Sequence, residues 1–269
     1  MDQLAKLAGA RPSYVHRFAS ANDAVPLGDL DTIRSFGATP LMTLEPWGSS
    51  TQANGPEYSL AQIAAGTIDA ELRRWGASLA TWGQHLLLRF AQEMNGTWYP
   101  WSIGVNGNTA AEYRAAWIRM RSIIRAQGAT NIQFVWAPNV LTVGTSDFSE
   151  CYPGQDHVDY LGLDGYNWGD IPGHQWQSAA DLFAPSLRAM HTLDGDHPIL
   201  ITEVASAEGS QPDMKAQWIH DFFAIVESDS HIAGFVWFQM DKERDWRFNS
   251  TPTSGEAFRS SLAQWKPTR

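Results

Sequence analysis

Several features are scarce in this sequence, and each scarcity excludes a class of protein. There is one cysteine, Cys151, so an internal disulfide is impossible, and no zinc-like ligand spacing accompanies it. No apolar run approaches the roughly 18 residues that a membrane span needs. Residues 1–9 lack the basic-then-apolar pattern of a signal peptide. We therefore expect a soluble protein with a quiet, semi-buried cysteine and no export signal in this sequence.

Positive charge is also scarce. With 19 basic and 29 acidic residues, the chain has a formal net charge of −10, which argues against a nucleic acid as partner. It contains no H-E-x-x-H pattern and no phosphate-binding glycine motif, so neither a metal nor a cofactor is indicated. We therefore expect the protein to bind an uncharged ligand.

Tryptophan, in contrast, is abundant. The 13 tryptophans are more than a core of this size needs, and an exposed indole is costly unless it contacts a flat apolar surface. Sugar rings provide such surfaces. The composition thus favours a polysaccharide or oligosaccharide as the ligand.

Seven apolar or β-branched runs alternate with helical patterns, and no linker divides them, which predicts one domain over residues 1–269. The predicted strands are Tyr14–Ser20, Pro40–Trp47, His85–Glu93, Ile132–Asn139, Val158–Tyr166, Pro198–Ser206 and Gly234–Met240. Near-continuous apolar strands separated by helices indicate a parallel sheet, and at this length the (β/α)8 TIM barrel. Such a barrel has eight strands. Residues 1–9 read as the tail of a helix, so the first strand either precedes Met1 or is replaced by another structure.

Helix signals between the strands agree with this fold. Thr67–Gly83 carries an apolar stripe at helical spacing. The segment TAAE, Thr109–Glu112, reads as a capping box that opens a second helix, which ends at Gly128. Later helices are predicted over Gln175–Leu193, Pro212–Ser228 and Gly255–Trp265.

Acidic residues fall at or near the predicted strand ends, where barrel enzymes place their chemistry. These residues are Glu45, Glu93, Asp164 and Glu203. Glu93 and Glu203 would close the fourth and seventh barrel strands and face each other across the mouth. Two facing carboxylates suit glycoside hydrolysis, and a separation near 5 Å would make one a nucleophile in a retaining mechanism. Either glutamate alone could equally be an idle, solvated residue at the rim.

Arg89 lies four residues before Glu93 on the same strand. Its guanidinium would point into the mouth and hold one carboxylate ionised, which would keep the pKa values of the two carboxyl groups apart. A plain structural ion pair is the alternative.

The segment RFAQEMNGTWYPW resembles the fourth-strand signature of glycoside hydrolase family 26, which contains mostly endo-β-1,4-mannanases and some β-1,3-1,4-glucanases and β-1,3-xylanases. Further segments are similar to that family from Arg11 onward. They are TPLMTLEPW, DGYNWG, PILITEVAS and FVWFQMDKERDWRF. The resemblance is most specific in the long EMNGTWYPW element.

The resemblance implies that Glu93 is the acid/base and Glu203 the nucleophile, with Tyr166 hydrogen-bonded to Glu203 and Arg89 in the same network. Trp98 and Trp237 would stack on sugar rings. The implied wall residues are Glu45, Asn95, Trp136 and Trp168, with core packing as the alternative for each tryptophan. Gln92 stands where the family commonly has a histidine that contacts the sugar, a difference that bears on the substrate and not on the reaction type.

The sequence thus predicts a retaining endo-β-glycanase, with β-1,4-mannan as the first expected substrate. The alternatives are a β-1,3-1,4-glucanase, a β-1,3-xylanase, or a carbohydrate-binding protein on a decayed hydrolase scaffold, which would not need both glutamates. A barrel enzyme for phosphorylated compounds is disfavoured because no glycine-rich phosphate loop follows the last strands. Polysaccharide substrates place the protein outside the cell.

Overall fold

The computed structural model describes residues 1–47 and 58–266. Its strands are β1 (Tyr14–Ser20), β2 (Thr39–Glu45), β3 (Leu86–Phe90), β4 (Ile132–Trp136), β5 (Tyr160–Asn167), β6 (Ile199–Ser206) and β7 (Ile232–Trp237). Its helices are α1 (Asp2–Ala8), α2 (Leu27–Ser35), α3 (Leu60–Ala65), α4 (Asp69–Trp82), α5 (Ala110–Ala126), α6 (Ala179–Leu193), α7 (Met214–Ser228) and α8 (Pro252–Gln264).

The seven strands form one parallel sheet in the order β1 to β7, so each strand lies beside its neighbour in sequence. This confirms the predicted α/β class and the number of strands within the described residues. Leu41, Leu44 and Leu86 to Leu88 are fully buried, as expected for parallel strands that are covered on both faces. Because all strands run the same way, their carboxyl ends share one edge of the sheet.

Three strands, β3, β4 and β7, each end three residues before the predicted end. β3 ends at Phe90 and not at Glu93, because Ala91 has a φ of 46° and leaves the extended conformation. β6 ends at Ser206, as predicted, so Glu203 lies within the strand and does not close it. β7 spans Ile232–Trp237, which leaves Met240 outside the strand and exposed.

The helices follow their predicted signals closely. The capping box at Thr109 and Glu112 opens α5. The apolar face of that helix is fully buried, and it consists of Tyr113, Trp117, Met120 and Ile124. α8 begins at Pro252, three residues earlier than predicted, because Thr251 and Ser254 form a second capping box and proline suits the first turn.

By contacts the chain divides into two compact units. The first contains the described residues within 1–13, 140–142 and 162–269, and the second those within 14–139 and 143–161. In the first unit, α1 packs on α8 and β6 pairs with β7. In the second, β1 to β4 pair in sequence and α5 packs on α3 and α4. The expectation of a single domain stays a prediction.

Two further expectations from the sequence concern membrane-spanning helices and the environment of Cys151. Among the described residues, no helix is both long and apolar enough to cross a membrane. Cys151 is buried, more completely than the predicted semi-buried position, and burial raises the pKa of its thiol to about 12. The thiol therefore stays protonated and unreactive near neutral pH.

Candidate active site

The backbone around Glu93 leaves β3 in an unusual conformation. Ala91 and Glu93 have φ values of 46° and 54°, a left-handed region that residues other than glycine seldom occupy. Neighbouring backbone holds this turn, since the amide of Glu93 donates to the carbonyl of Ala137 at 2.8 Å, just after β4. The strain therefore sets the direction of the Glu93 side chain, which is buried.

Each oxygen of the Glu93 carboxylate accepts a hydrogen bond from a different side chain. The indole Nε1 of Trp98 donates to Oε2 at 2.7 Å, and the amide Nδ2 of Asn139 donates to Oε1 at 2.6 Å. A carboxylate with a donor on each oxygen has a fixed orientation. This suits a group that must present its proton or lone pair in one direction.

Gly96 makes the position of Trp98 possible. A Cβ atom at Gly96 would lie 2.5 to 2.7 Å from the indole ring, which is closer than carbon atoms can approach. Trp98 is nevertheless 49% exposed. Its ring thus combines a buried hydrogen bond to Glu93 with a face that is open to a ligand, as the predicted sugar-stacking role requires.

Asn139 was not predicted as a site residue. It is held in place by hydrogen bonds to Asn95. The amide of Asn95 accepts from the backbone N–H of Asn139 at 2.8 Å and donates to the carbonyls of Asn139 and Ser146. Asn95 is buried, so it acts as a positioning residue for Asn139 and not as part of a cleft wall. Asn139 is the last residue of the predicted strand Ile132–Asn139. A search for amides as well as acids at the predicted strand ends would therefore have found it.

Gln92 and Glu45, both predicted to bind substrate, contact each other. The amide Nε2 of Gln92 donates to Oε1 of Glu45 at 3.0 Å, and the indole of Trp101 donates to the Gln92 carbonyl at 2.7 Å. Gln92 is fully buried, and its Oε1 has no hydrogen-bond partner in the part of the chain that the structure describes. Gln92, which stands where the family commonly has histidine, therefore has a buried oxygen that can accept a hydrogen bond.

Arg89 is fully buried in β3. Its Nε donates to the hydroxyl of Thr43 at 2.7 Å, and its guanidinium lies over the Phe18 ring. Burial and the adjacent Arg89 charge lower the pKa of His16 well below its ordinary value, so His16 is neutral near pH 7. The proposed action of Arg89 on a catalytic carboxylate stays a prediction.

Glu203 lies in the carboxyl-terminal half of β6. The register between β6 and β7 shifts between Ile201 and Val204, which is the irregularity that surrounds this glutamate. The hydroxyl of Tyr166 donates a hydrogen bond to Oε2 of Glu203. The contact that the family resemblance implies between these two residues is therefore present.

Aromatic side chains pack behind Tyr166. Its ring meets the Trp246 ring edge-on at 5.1 Å, and Trp168 meets Trp246 at 4.9 Å and stacks on His174 at 4.8 Å. The indole of Trp237 donates to the Trp246 carbonyl at 2.8 Å. Trp168 and Trp237 are partly buried, whereas Trp246, which sequence reasoning missed, is the buried centre of the group.

Trp136 occupies a different environment from the other predicted tryptophans. It has no exposed surface and packs edge-on against Phe148 and Tyr152. This burial favours core packing, the alternative considered for it, over a place in a cleft wall.

A polar cavity of about 310 Å³ lies in the same unit as Glu203. It is lined by Ala207, Glu208 and residues 241–245, which follow β6 and β7. Its charged and hydrogen-bonding surface suits a hydroxyl-rich ligand better than an apolar one.

Comparison with known proteins gives one family match and two curated relatives. The model of glycosyl hydrolase family 26 matches residues 59–247. Endoglucanase H of Acetivibrio thermocellus is 35% identical over 266 residues, which is 96% of this chain and 28% of that protein. Mannan endo-1,4-beta-mannosidase of Bacillus subtilis is 29% identical over 151 residues, 54% of this chain and 38% of that protein. The chain thus spans well under half the length of either relative.

Solved structures share the fold at low sequence identity. A GH26 beta-mannanase from Bacteroides ovatus superimposes with a TM-score of 0.68 at 16% identity and covers 98% of this chain and 82% of its own. A modular endo-beta-1,4-mannanase from Cellulomonas fimi gives a TM-score of 0.72 at 18% identity, over 98% of this chain and 66% of its own.

Proposed function

The chain belongs to glycosyl hydrolase family 26, and on this premise we propose that it is a retaining endo-β-glycanase. Glu93 is the acid/base and Glu203 the nucleophile, acting on the same glycosidic bond. One observation carries the proposal: both are buried glutamates at or near the carboxyl ends of strands in one parallel sheet, and donors hold both. The donors are Trp98 and Asn139 for Glu93 and Tyr166 for Glu203.

The reaction proceeds in two displacements. First, Oε of Glu203 attacks the anomeric carbon while protonated Glu93 gives its proton to the leaving glycosidic oxygen, so one C–O bond forms as another breaks. Then Glu93, now ionised, takes a proton from water, and that water displaces Glu203 from the anomeric carbon. Two inversions give a product with the configuration of the substrate.

The first candidate substrate is β-1,4-mannan, the backbone named for the B. subtilis relative. The exposed Trp98 face beside Glu93 supports binding of an uncharged pyranose ring, and the net charge of −10 disfavours acidic polymers. Such polymers lie outside cells, so we propose that the protein meets its substrate there.

A β-linked glucan is the second candidate, and two observations favour it. Endoglucanase H is the relative that matches nearly the whole chain. In addition, Gln92 is turned to Glu45 in a buried pair at the position where mannanases of the family commonly carry histidine. Mannose and glucose differ only in the orientation of one hydroxyl, so a single altered hydrogen-bonding residue is enough to change the preference.

The test is a screen of the purified chain against β-1,4-mannan, β-1,3-1,4-glucan and β-1,3-xylan, with reducing ends and viscosity measured together. We expect one polymer to lose viscosity early, as internal cleavage requires. Glu93→Ala and Glu203→Ala should each reduce hydrolysis of that polymer by several orders of magnitude.

The matched control is Glu227→Ala, which removes an exposed glutamate from α7 and should leave activity unchanged. Circular dichroism checks that each variant is folded. Full activity in Glu203→Ala would remove the nucleophile assignment, and binding of a polymer without hydrolysis by the wild type would identify a carbohydrate-binding protein.

A further inference from the structure

Three side chains with metal-ligating atoms converge where α6 ends and β7 begins. His191 lies in the last turn of α6, Asp229 directly follows α7, and His231 directly precedes β7. One ligand atom from each lies within 4.8 Å of the other two. All three belong to the same compact unit.

The Asp229 carboxylate stands between the two imidazole rings. Its Oδ2 lies 2.7 Å from Nε2 of His191, and its Oδ1 lies 3.5 Å from Nδ1 of His231. The ring centroids are 4.9 Å apart and the planes meet at 71°. Two ring nitrogens therefore face one carboxylate from different directions, which is the arrangement of a three-ligand metal site.

The backbone fixes two of the three ligands. The N–H of His231 donates to Oδ1 of Asp229 at 3.0 Å, and the carbonyl of His231 accepts from Ile199 at 2.8 Å, where β6 begins. The turn that carries Asp229 and His231 is thus held to the sheet, and His191 is presented from a helix. A site on such elements is largely formed before a ligand arrives.

We propose that Nε2 of His191, Nδ1 of His231 and one oxygen of Asp229 bind a zinc ion, with water as the fourth ligand. Zn²⁺ accepts imidazole and carboxylate at about 2.0 to 2.2 Å in a tetrahedron, which sets its ligand atoms about 3.3 to 3.5 Å apart. The 3.5 Å between Nδ1 of His231 and Oδ1 of Asp229 already fits this spacing. The 2.7 Å contact of His191 is with the other oxygen, Oδ2, so His191, whose side chain is 34% exposed, must leave that hydrogen bond to share the ion with Oδ1.

The ligand types disfavour two common divalent ions, Ca²⁺ and Mg²⁺. Ca²⁺ and Mg²⁺ prefer shells of oxygen atoms and are poorly matched by two imidazoles. The site lies at the amino-terminal end of β7, whereas Glu203 lies in the carboxyl-terminal half of β6. The proposed zinc site is therefore separate from Glu203, and a bound ion would join the end of α6 to the turn into β7.

Isothermal titration of chelator-treated protein with ZnCl2 tests the proposal. We expect one zinc ion per chain, and at least 10-fold weaker binding in His191→Ala and in His231→Ala. His197→Ala is the matched control, because His197 also pairs with an aspartate, Asp194, at 2.7 Å but lies outside the cluster. It should bind zinc as the wild type does.

A spectrum of the wild type makes the test independent of the variants. Long-range ¹H–¹⁵N correlations should show zinc-dependent shifts at Nε2 of one histidine and Nδ1 of another, and both signals should be assigned to His191 and His231. Absence of saturable zinc uptake by the wild type, or binding that survives in His191→Ala and His231→Ala, would overturn the proposal.

Discussion

At the scale of single residues, substitution of Tyr166 tests the proposed nucleophile, Glu203, most directly. Its hydroxyl donates to Glu203 while its ring packs on Trp246 and Phe238. Tyr166→Phe removes the hydroxyl and keeps the ring. A hydrogen bond to a charged group contributes about 1.5 to 3 kcal/mol, so we expect kcat to fall about 10- to 100-fold with little change in Tm.

The control for this change is Tyr160→Phe, which removes a hydroxyl from the first residue of the same strand. It should leave kcat as it is. An unchanged kcat in Tyr166→Phe would mean that the hydroxyl does not assist Glu203.

The sequence predicts residues of this site when their type and position both carry a signal. Glu93 and Glu203 were predicted as acids at strand ends. The structure places Glu93 three residues after β3 and Glu203 within β6, and their catalytic roles stay a prediction. Asn139 and Trp246 were missed, because an amide and a buried indole become informative only through the partner that each one contacts.

At the scale of elements, Gly165 shows how closely β5 packs on α6. A Cβ atom at Gly165 would lie 2.8 Å from the Phe183 ring and 2.9 Å from a methyl group of Val140. Gly165→Ala should therefore lower the free energy of unfolding by about 1 to 3 kcal/mol through overpacking. Denaturant unfolding measures this loss.

Gly28→Ala is the matched substitution, since nothing lies within 4 Å of the added Cβ atom in α2. It should be neutral or stabilise by up to about 1 kcal/mol. Equal effects of the two substitutions would contradict the close packing at Gly165.

Lys215, in α7, forms hydrogen bonds with the segment that follows β7. Its buried ammonium donates to the carbonyls of Asp245 and Arg247 and to the Ser250 hydroxyl. Burial lowers the pKa of Lys215 from 10.5 to about 8. Between these values the unfolded chain binds more protons than the folded one, so the free energy of unfolding rises with pH over that window.

The measurement is urea unfolding of the wild type and Lys215→Met at pH 7.5 and pH 10. Relative to that of Lys215→Met, the free energy of unfolding of the wild type should increase by about 1 to 3 kcal/mol between pH 7.5 and pH 10. A difference that does not depend on pH would contradict the lowered pKa of the buried ammonium.

Element boundaries were predictable where a local signal marks them. The capping box at Thr109 begins α5 as expected. The end of β3 was not predictable, because the apolar pattern continues through Ala91 while the backbone turns left-handed there. That turn depends on hydrogen bonds to residues far away in sequence, such as the one from Glu93 to Ala137.

At the scale of the whole molecule, alternation of strands and helices predicted the seven-stranded parallel sheet. The spacing of apolar residues and the length of each segment are enough to predict such a sheet. Parallel strands need helical crossovers, and adjacent strands usually follow each other in sequence. The group of His191, Asp229 and His231 lay beyond such reasoning, because its members are joined by the fold and not by a motif spacing.

The central claim, that Glu203 forms a covalent glycosyl intermediate while Glu93 transfers the proton, is tested most directly by trapping. The enzyme is treated with 2-deoxy-2-fluoro glycosides of mannose and glucose that carry a good leaving group, and the labelled peptide is sequenced by mass spectrometry. We predict one sugar per chain, attached to the side chain of Glu203. A label on another residue, or hydrolysis that inverts the anomeric configuration and leaves no label, would contradict the account.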